Sequence, residues 1–314
     1  MPPKILVISG PTASGKTRLA VELALRHGGE VVSADSMQVY RRMDIGTAKP
    51  TPEEMRGIPH HMLDVADPEE DFSVARYVEL AAPCVDDILA RGKLPIVAGG
   101  TGLYLDSLLS GRTFAPFSPD GGLRARLEAR FDALGGGAML GELAAADPEA
   151  AARLHPNDRK RIVRALEVFQ QTGKTISQHN RETRALSPRY DALTLSLAFQ
   201  RREDMWARID RRVDEMMAAG LAEEVRALLD SGVPVRCTAM QAIGYKEMAA
   251  ALRGGGDVCA AAEEIKLRSR QYAKRQLTWL RHVPDVHWIE WENQRDFAAA
   301  LRISTEICTA HGLG

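Results

Sequence analysis

Gly10-Pro11-Thr12-Ala13-Ser14-Gly15-Lys16-Thr17 follows the apolar run Lys4–Ile8 and opens a segment in which Leu19, Ala20, Leu23 and Ala24 share one helical face. Strand, glycine-rich loop and helix in that order are the context a phosphate-binding P-loop requires. The glycines let backbone amides curl around phosphate oxygens, and the helix N-terminus adds partial positive charge. Lys16 supplies a point charge and the Thr17 hydroxyl a contact for Mg²⁺. Taken alone, the loop leaves open whether phosphates are transferred, hydrolysed or discarded as a leaving group.

Working outward, strand signals at Lys4–Ile8, Glu30–Ala34, His60–Val65 and Leu94–Ala98 alternate with helical ones at Lys16–Arg26 and Val74–Ala90, the latter with Ser73 as N-cap. Buried-looking strands alternating with helices predict a parallel, helix-covered sheet. Gly111–Gly122 carries Pro116, Pro119 and paired glycines and reads as a linker. From Leu123 to about Gln178 the signals are helical, broken at Gly135-Gly136-Gly137 and Pro148, and β-type residues return at Leu193–Phe199. Helices are expected at Glu203–Ala218, Leu221–Leu229 and Val258–His282, then a strand at Val286–Trp291 and a closing helix. The glycines at 254–256 read as a loop. The expected fold is α/β: a P-loop NTPase-like parallel sheet core over 1–115, a helical insertion over 116–189, and a core return strand with helices over 190–314.

A chain of 314 residues with net charge −1 can bury a sizeable core and is not a uniformly basic nucleic-acid binder, although local basic patches stay open. Cys84, Cys237, Cys259 and Cys308 are far apart and make no C-x-x-C pair, which argues against a zinc site or a disulfide framework. No stretch approaches a membrane-spanning apolar length and no signal peptide is read, so a cytoplasmic protein without membrane association is expected.

Asp35 stands at a strand's carboxyl end, where open α/β sheets bind ligands, so it should face the P-loop's crevice as a base or a Mg²⁺ partner. The alternative is a cap or turn residue. Gly99-Gly100-Thr101-Gly102 ends another strand and suggests close backbone approach to a ligand, a structural turn being the alternative. That strand lacks the terminal Asp of a Walker B segment, which weakens an ATPase reading. His60 and His61 point to opposite faces of a strand and read as structural.

Two basic groups stand out. One is Arg159-Lys160-Arg161 with Arg164. The other is Lys266, Arg268, Arg270, Lys274, Arg275 and Arg281, interleaved with Gln271, Tyr272, Gln276 and Trp279. Lys266, Arg270, Lys274 and Arg281 share one broad helical face, and sustained basic character with aromatics favours nucleic-acid phosphate over a merely solvated face. Arg208 and Arg212, four apart, could clamp a diphosphate or pair with local acids.

Together the motifs resemble the bacterial tRNA dimethylallyltransferase family, also called tRNA isopentenyltransferase. The resemblance rests on Gly10–Thr17, Ser33–Tyr40, Met43–Pro50, Pro59-His60-His61, Gly99–Tyr104, His155–Asp158, Arg164–Val168, Ala242–Glu247 and Arg270–Arg281, and spans nearly the whole chain. It implies transfer of a dimethylallyl group from dimethylallyl diphosphate to the exocyclic amine of the adenine 3′-adjacent to the anticodon. The P-loop would then hold diphosphate as a leaving group, which accounts for the missing Walker B acid. It implies Asp35 as base and Thr101 near the reacting centre, with Lys16, the Gly10–Thr17 amides and Mg²⁺ on Thr17 stabilising the leaving group. Arg208 and Arg212 become candidate diphosphate contacts. The tRNA anticodon stem-loop would be met by Asp35, Ser36, Met37, Gln38 and Thr101 at the target nucleotide. Further contacts would come from Lys160, Arg161, Ile162, Val163 and Arg164 in the insertion, from Gln241, Ala242, Ile243, Gly244, Tyr245 and Lys246, and from Arg270, Lys274 and Arg281. Nothing suggests an obligate oligomer, so a monomer is expected. The competing readings are an adenylate isopentenyltransferase, which needs no RNA-gripping surface, and a P-loop kinase or nucleotide-regulated RNA-binding protein, which would bind or hydrolyse ATP.

Overall fold

Six strands, all parallel, run in the order β3-β2-β4-β1-β5-β6 in the computed structural model, which describes residues 2–111, 114, 122–184, 187–292 and 296–313. β1 (Lys4–Ser9) lies near the centre, with Leu6 registered against Ile96 of β4 (Pro95–Ala98) on one side and Leu193 of β5 (Asp191–Phe199) on the other. Its residues Ile5–Ser9 are buried on both faces, as expected where helices cover a parallel sheet. β2 (Glu30–Ser33), β3 (His60–His61) and β6 (Val286–Trp291) complete it.

The covering helices follow in chain order. α1 (Lys16–His27) buries Leu19, Ala20, Leu23 and Ala24 as its spacing predicts, and ends on Gly28. α2 (Pro52–Met55) is a single turn closed by a Thr51–Glu54 capping box. α3 (Val74–Ala90) starts at Ser73, whose hydroxyl accepts from the Arg76 amide at 3.2 Å. α4 (Gly102–Leu109) follows β4 directly and was read as neither helix nor strand from sequence. Two large hydrophobic clusters flank the sheet, beside a small one of Ala13, Met205, Ile209 and Ala273. One large cluster holds Val32, Tyr40, Tyr77, Leu105 and Tyr245, and the other Leu6, Ile8, Leu19, Leu195 and Trp291.

The chain divides into two compact units, Met1–Leu109 with Arg189–Gly314, and Ser110–Pro188. The chain leaves and re-enters the first unit at one point, where the Arg189 amide donates to the Leu109 carbonyl at 2.9 Å. Of the expected Gly111–Gly122 linker, residues 112, 113 and 115–121 lie outside the described residues. The second unit holds α5 (Gly122–Ala146), α6 (Pro148–Ala151), α7 (Arg159–Thr172) and α8 (Ile176–Arg184) around Leu127, Met139, Leu143, Ile162, Val163 and Leu166. The predicted glycine break is a kink: α5 carries one non-helical residue, Gly135, at φ 79°. Pro148 opens α6 behind Asp147, whose carboxylate takes the Ala150 and Ser177 amides at 3.0 and 2.9 Å.

After β5 the first unit adds α9 (Arg202–Ala218), α10 (Leu221–Asp230), α11 (Tyr245–Gly254), α12 (Val258–Leu280) and, beyond β6, α13 (Phe297–Ala310). Of the three glycines at 254–256, Gly254 ends α11 and Gly255 is its left-handed cap.

Candidate active site

The P-loop takes its shape from the strand on its far side. Gly10 sits at φ 141°, and a Cβ there would lie 2.5 Å from the Leu197 carbonyl of β5, so only glycine lets the loop leave β1. Ala13 is also left-handed, at φ 63°, and Gly15 caps α1 at φ 98°. The loop is held from outside. Trp291 Nε1 donates to the Ser14 carbonyl at 2.9 Å, and the Thr12 amide donates to Gln276 Oε1 at 2.8 Å. The Ser14 hydroxyl is buried without a partner.

A cavity of about 610 Å³ opens in front of this loop, lined by Thr12, Ala13, Gly15, Lys16 and Thr17, and by Asp35, Gln38, Arg208 and Arg212 from other elements. The P-loop, the end of β2 and the two α9 arginines therefore meet, as their sequence positions suggested. Gly10, Pro11 and Ser14 lie behind the lining. Lys16 Nζ donates to the Pro11 carbonyl at 2.8 Å. Burial and the neighbouring Arg212 pull the Lys16 ammonium down to about 7, against the opposing pull of Asp35. Burial likewise lowers Arg212, with Asp35 acting against it. Arg208 bonds Glu215 at 3.3 Å while its Nε is buried without a partner. Three cations, Lys16, Arg208 and Arg212, thus share one cavity with the acids Asp35 and Glu215, a concentration of positive charge that suits a polyanion.

A second cavity of about 310 Å³ is lined by Ser36, Met37, Gln241, Ala242, Ile243 and Gly244, among others. Thr12, Asp35, Arg212, Met216 and Tyr272 line both cavities, so the carboxylate stands where the two meet. Asp35 Oδ1 accepts from the Met37 amide at 2.9 Å, which fixes the turn after β2. Gln38 is spent on the protein: its amide nitrogen donates to the Thr47 and Ala48 carbonyls at 3.3 and 3.2 Å. Thr101 lines neither cavity. Its Oγ1 accepts from the Ser36 amide at 3.0 Å, one layer behind.

The glycines flanking Thr101 are needed for packing between protein segments. A Cβ at Gly99 would lie 2.2 Å from the Ala34 carbonyl oxygen, one at Gly100 2.1 Å from Gln276 Nε2, and one at Gly102 2.4 Å from the Trp279 ring. Ala34 and α12 therefore crowd this turn, as the structural-turn reading requires, while Gly99 also lines the first cavity.

Tyr272 and Gln276 were read from sequence only as members of a basic, aromatic stretch. Both face the first cavity, and burial with the charge of Asp35 pushes the Tyr272 phenol up to about 12. Their four-residue spacing was the available signal, since it puts them on one helix face. Glu224 was missed altogether. Its carboxylate accepts the Asp44, Ile45 and Gly46 amides at 2.8, 2.8 and 3.1 Å and the Tyr245 hydroxyl at 2.5 Å, pinning a loop that lines both cavities.

The remaining expected contacts separate into exposed and buried residues. Within 160–164, Ile162 and Val163 pack the second unit's core while Lys160 and Arg161 are exposed. Arg164 is half-buried and bonds Glu167 at 2.7 Å. Tyr245 is fully buried and Lys246 exposed. The broad basic face of α12 is partly neutralised. Arg270 makes a two-pronged bond to Asp210, and Lys266 pairs with Asp214 and Glu263. Lys274 and Arg281 stay exposed, and Lys274 borders an outer hollow with Arg275, Trp279 and His282.

Among the described residues no cluster of three or more His, Cys, Asp or Glu forms a metal cage. Mg²⁺ does not need one, because it keeps several waters and takes one or two protein oxygens beside substrate phosphates. The Thr17 hydroxyl and Asp35 carboxylate, both lining the first cavity, suit that role. No helix among the described residues is long and apolar enough to cross a membrane.

Two family models match, described as IPP transferase over residues 38–283 and isopentenyl transferase over residues 3–70. The tRNA dimethylallyltransferase 1 of Trichlorobacter lovleyi is 50% identical over 93% of this chain and 95% of its own length. The tRNA dimethylallyltransferase of Geobacter sulfurreducens is 49% identical over 95% of each. The crystal structure of the full-length tRNA isopentenylpyrophosphate transferase from Bacillus halodurans is 42% identical, with a TM-score of 0.73 over 98% of this chain and 96% of that one. A eukaryotic dimethylallyltransferase acting on tRNA is 31% identical and superposes with a TM-score of 0.84, over 98% of this chain and 80% of that one. A P-loop in front of two joined cavities, with near half identity along almost the full length of named relatives, establishes that the chain belongs to the tRNA dimethylallyltransferase family.

Proposed function

We propose that the protein transfers a dimethylallyl group from dimethylallyl diphosphate to the exocyclic amine of the adenine 3′-adjacent to the anticodon of tRNA, releasing diphosphate. The observation that carries this reading is the meeting of the two cavities at Asp35. One side offers cations and loop amides for a diphosphate. The other is the smaller cavity, about 310 Å³, lined by Met37, Met216, Ile243 and Tyr272 among others, with room for one base. A base reaching it must leave the anticodon-loop stack, as enzymes acting on a base require.

The chemistry follows from what each group can do. The allylic C–O bond breaks and its electron pair leaves with the diphosphate. Lys16, Arg208, Arg212 and the amides of Gly15, Lys16 and Thr17 at the start of α1 stabilise that charge where it develops. Mg²⁺ held by Thr17 would offset further charge on the same oxygens. The adenine nitrogen forms the new C–N bond and gives its proton to Asp35. A positioned base contributes about 10²–10⁴-fold to such a step. Thr101 acts through Ser36, and Lys160, Arg161, Arg164, Lys246, Lys274 and Arg281 supply phosphate contacts to the anticodon stem-loop. The protein works as a monomer in the cytoplasm.

The test is incubation with radiolabelled dimethylallyl diphosphate, Mg²⁺ and unmodified tRNA. Label should enter tRNA stoichiometrically with diphosphate release. Label on free adenosine monophosphate in its place, or ATP hydrolysis that dimethylallyl diphosphate does not inhibit, overturns the reading.

A further inference from the structure

Gln276 of α12 is 6% exposed and makes two directional bonds to segments far away in sequence. Its Oε1 accepts the Thr12 amide at 2.8 Å, and its Nε2 donates to the Gly100 carbonyl at 2.9 Å. One side-chain amide thus ties the P-loop to the turn after β4. The fit is close, since a Cβ on Gly100 would lie 2.1 Å from Nε2. A carboxylate at 276 would lack the donor, a lysine or arginine the acceptor, and a methionine both.

We propose that Gln276 is a positioning residue for the prenyl donor. It fixes the separation between the P-loop, which holds the diphosphate, and the Gly99–Gly102 turn, whose Thr101 supports Ser36 beside Asp35. This rests on the reading that the P-loop holds a prenyl diphosphate. The Thr12 amide is oriented by Gln276 before any ligand arrives, so the loop need not be ordered at the moment of binding. The same helix presents Lys274 and Arg275 to the outer hollow. Losing the Gln276 amide therefore loosens the donor side while leaving those basic side chains in place.

The experiment uses the full chain and two separately measured ligands, inorganic pyrophosphate with Mg²⁺ and unmodified tRNA. Gln276→Met keeps the volume and removes both bonds. It should weaken pyrophosphate binding and raise the KM for dimethylallyl diphosphate by about tenfold, with tRNA affinity within twofold of the parent. Gly100→Ala, which pushes against the Gln276 amide, should show the same split. Combined with Gln276→Ala it should add nothing further, because the space it needs is then free. A merely structural role would lower the melting temperature without moving donor affinity in the folded protein. Pyrophosphate affinity within twofold of the parent in Gln276→Met, or effects of Gly100→Ala and Gln276→Ala that multiply, overturns the proposal. If Gln276→Met does not fold, Gly100→Ala and the double variant decide it alone. Failure of the parent protein to bind either pyrophosphate or dimethylallyl diphosphate overturns the functional reading itself, and this inference with it.

Discussion

The Thr101 hydroxyl receives the Ser36 backbone amide at 3.0 Å, with the Ser36 hydroxyl 3.4 Å away. The turn carrying Asp35 is therefore braced from the neighbouring strand end. Thr101→Val keeps the shape and strands the amide, at a cost of about 1–3 kcal/mol. Turnover should fall about 10- to 100-fold, with Thr101→Ser restoring most of it. Steady-state rates on unmodified tRNA check this.

Asp35→Asn keeps an acceptor for the Met37 amide, bonded at 2.9 Å, but cannot take a proton. Single-turnover transfer should slow by about 10²–10⁴-fold, while filter-binding affinity for tRNA changes little. Lost tRNA binding with a normal transfer rate would exclude a base at this position.

Burial and Arg212 push the Lys16 ammonium down to about 7, with Asp35 opposing. A bound diphosphate favours its charged form. Below pH 7 the ammonium is already present; above it, donor binding must bring a proton. Affinity should therefore weaken as pH rises through 7, toward tenfold per pH unit, with proton uptake visible by calorimetry in buffers of different ionisation enthalpy. In Lys16→Met that dependence should vanish and affinity should be low throughout.

Glu30 is 2% exposed and accepts from Arg91 Nη2 at 2.7 Å and Lys93 at 2.8 Å, with His61 Nε2 2.8 Å away. The Arg91 bonds hold its carboxyl well below the usual range, with burial opposing and Lys93 and His61 adding to the effect. The unfolded chain takes the proton first, near 4.5, so this stabilisation is complete above that pH and is lost as pH falls toward the folded value. Glu30→Gln should cost about 1–3 kcal/mol at pH 7, because the Arg91 and Lys93 charges it leaves are partly solvated, and urea midpoints of variant and parent should converge in acid.

Gly46 packs against Tyr245: a Cβ would lie 2.4 Å from Tyr245 Cε2. Gly46→Ala should destabilise by about 1–3 kcal/mol. Glu224→Ala should cost about 3 kcal/mol, since the three amides and the Tyr245 hydroxyl lose their shared acceptor. Glu224→Gln should recover part of this. Chemical denaturation separates the three.

Local order was legible. The P-loop, the α3 boundaries with the Ser73 cap, and the pairing of Arg208 with Arg212 on one face all came from patterns within a turn or two of chain. What escaped depends on distant neighbours. Periodicity put Tyr272 and Gln276 on one face of α12 but could not say that the face meets residues 176 and 264 positions earlier. For the same reason Lys266 and Arg270 looked like free cations until α9 brought Asp214 and Asp210 against them. The glycines around Thr101 signalled crowding without naming what crowds them, which is Ala34, Gln276 and Trp279 from elsewhere in the chain. The short α2 and the α4 helix lay inside runs too brief or too glycine-rich for a period to register.

The Leu109–Arg189 backbone bond makes residues 110–188 a loop whose two ends coincide. For the sheet, those residues behave as one turn joining α4 to β5. Chain can therefore be removed or exchanged there without stretching β5, which must still slide in beside β1. A version closed by a few glycines should keep the P-loop and its cavity while losing every cation of the excised helices. The P-loop part of the molecule thus becomes separable, as a piece of chain, from the helix that carries Lys160, Arg161 and Arg164.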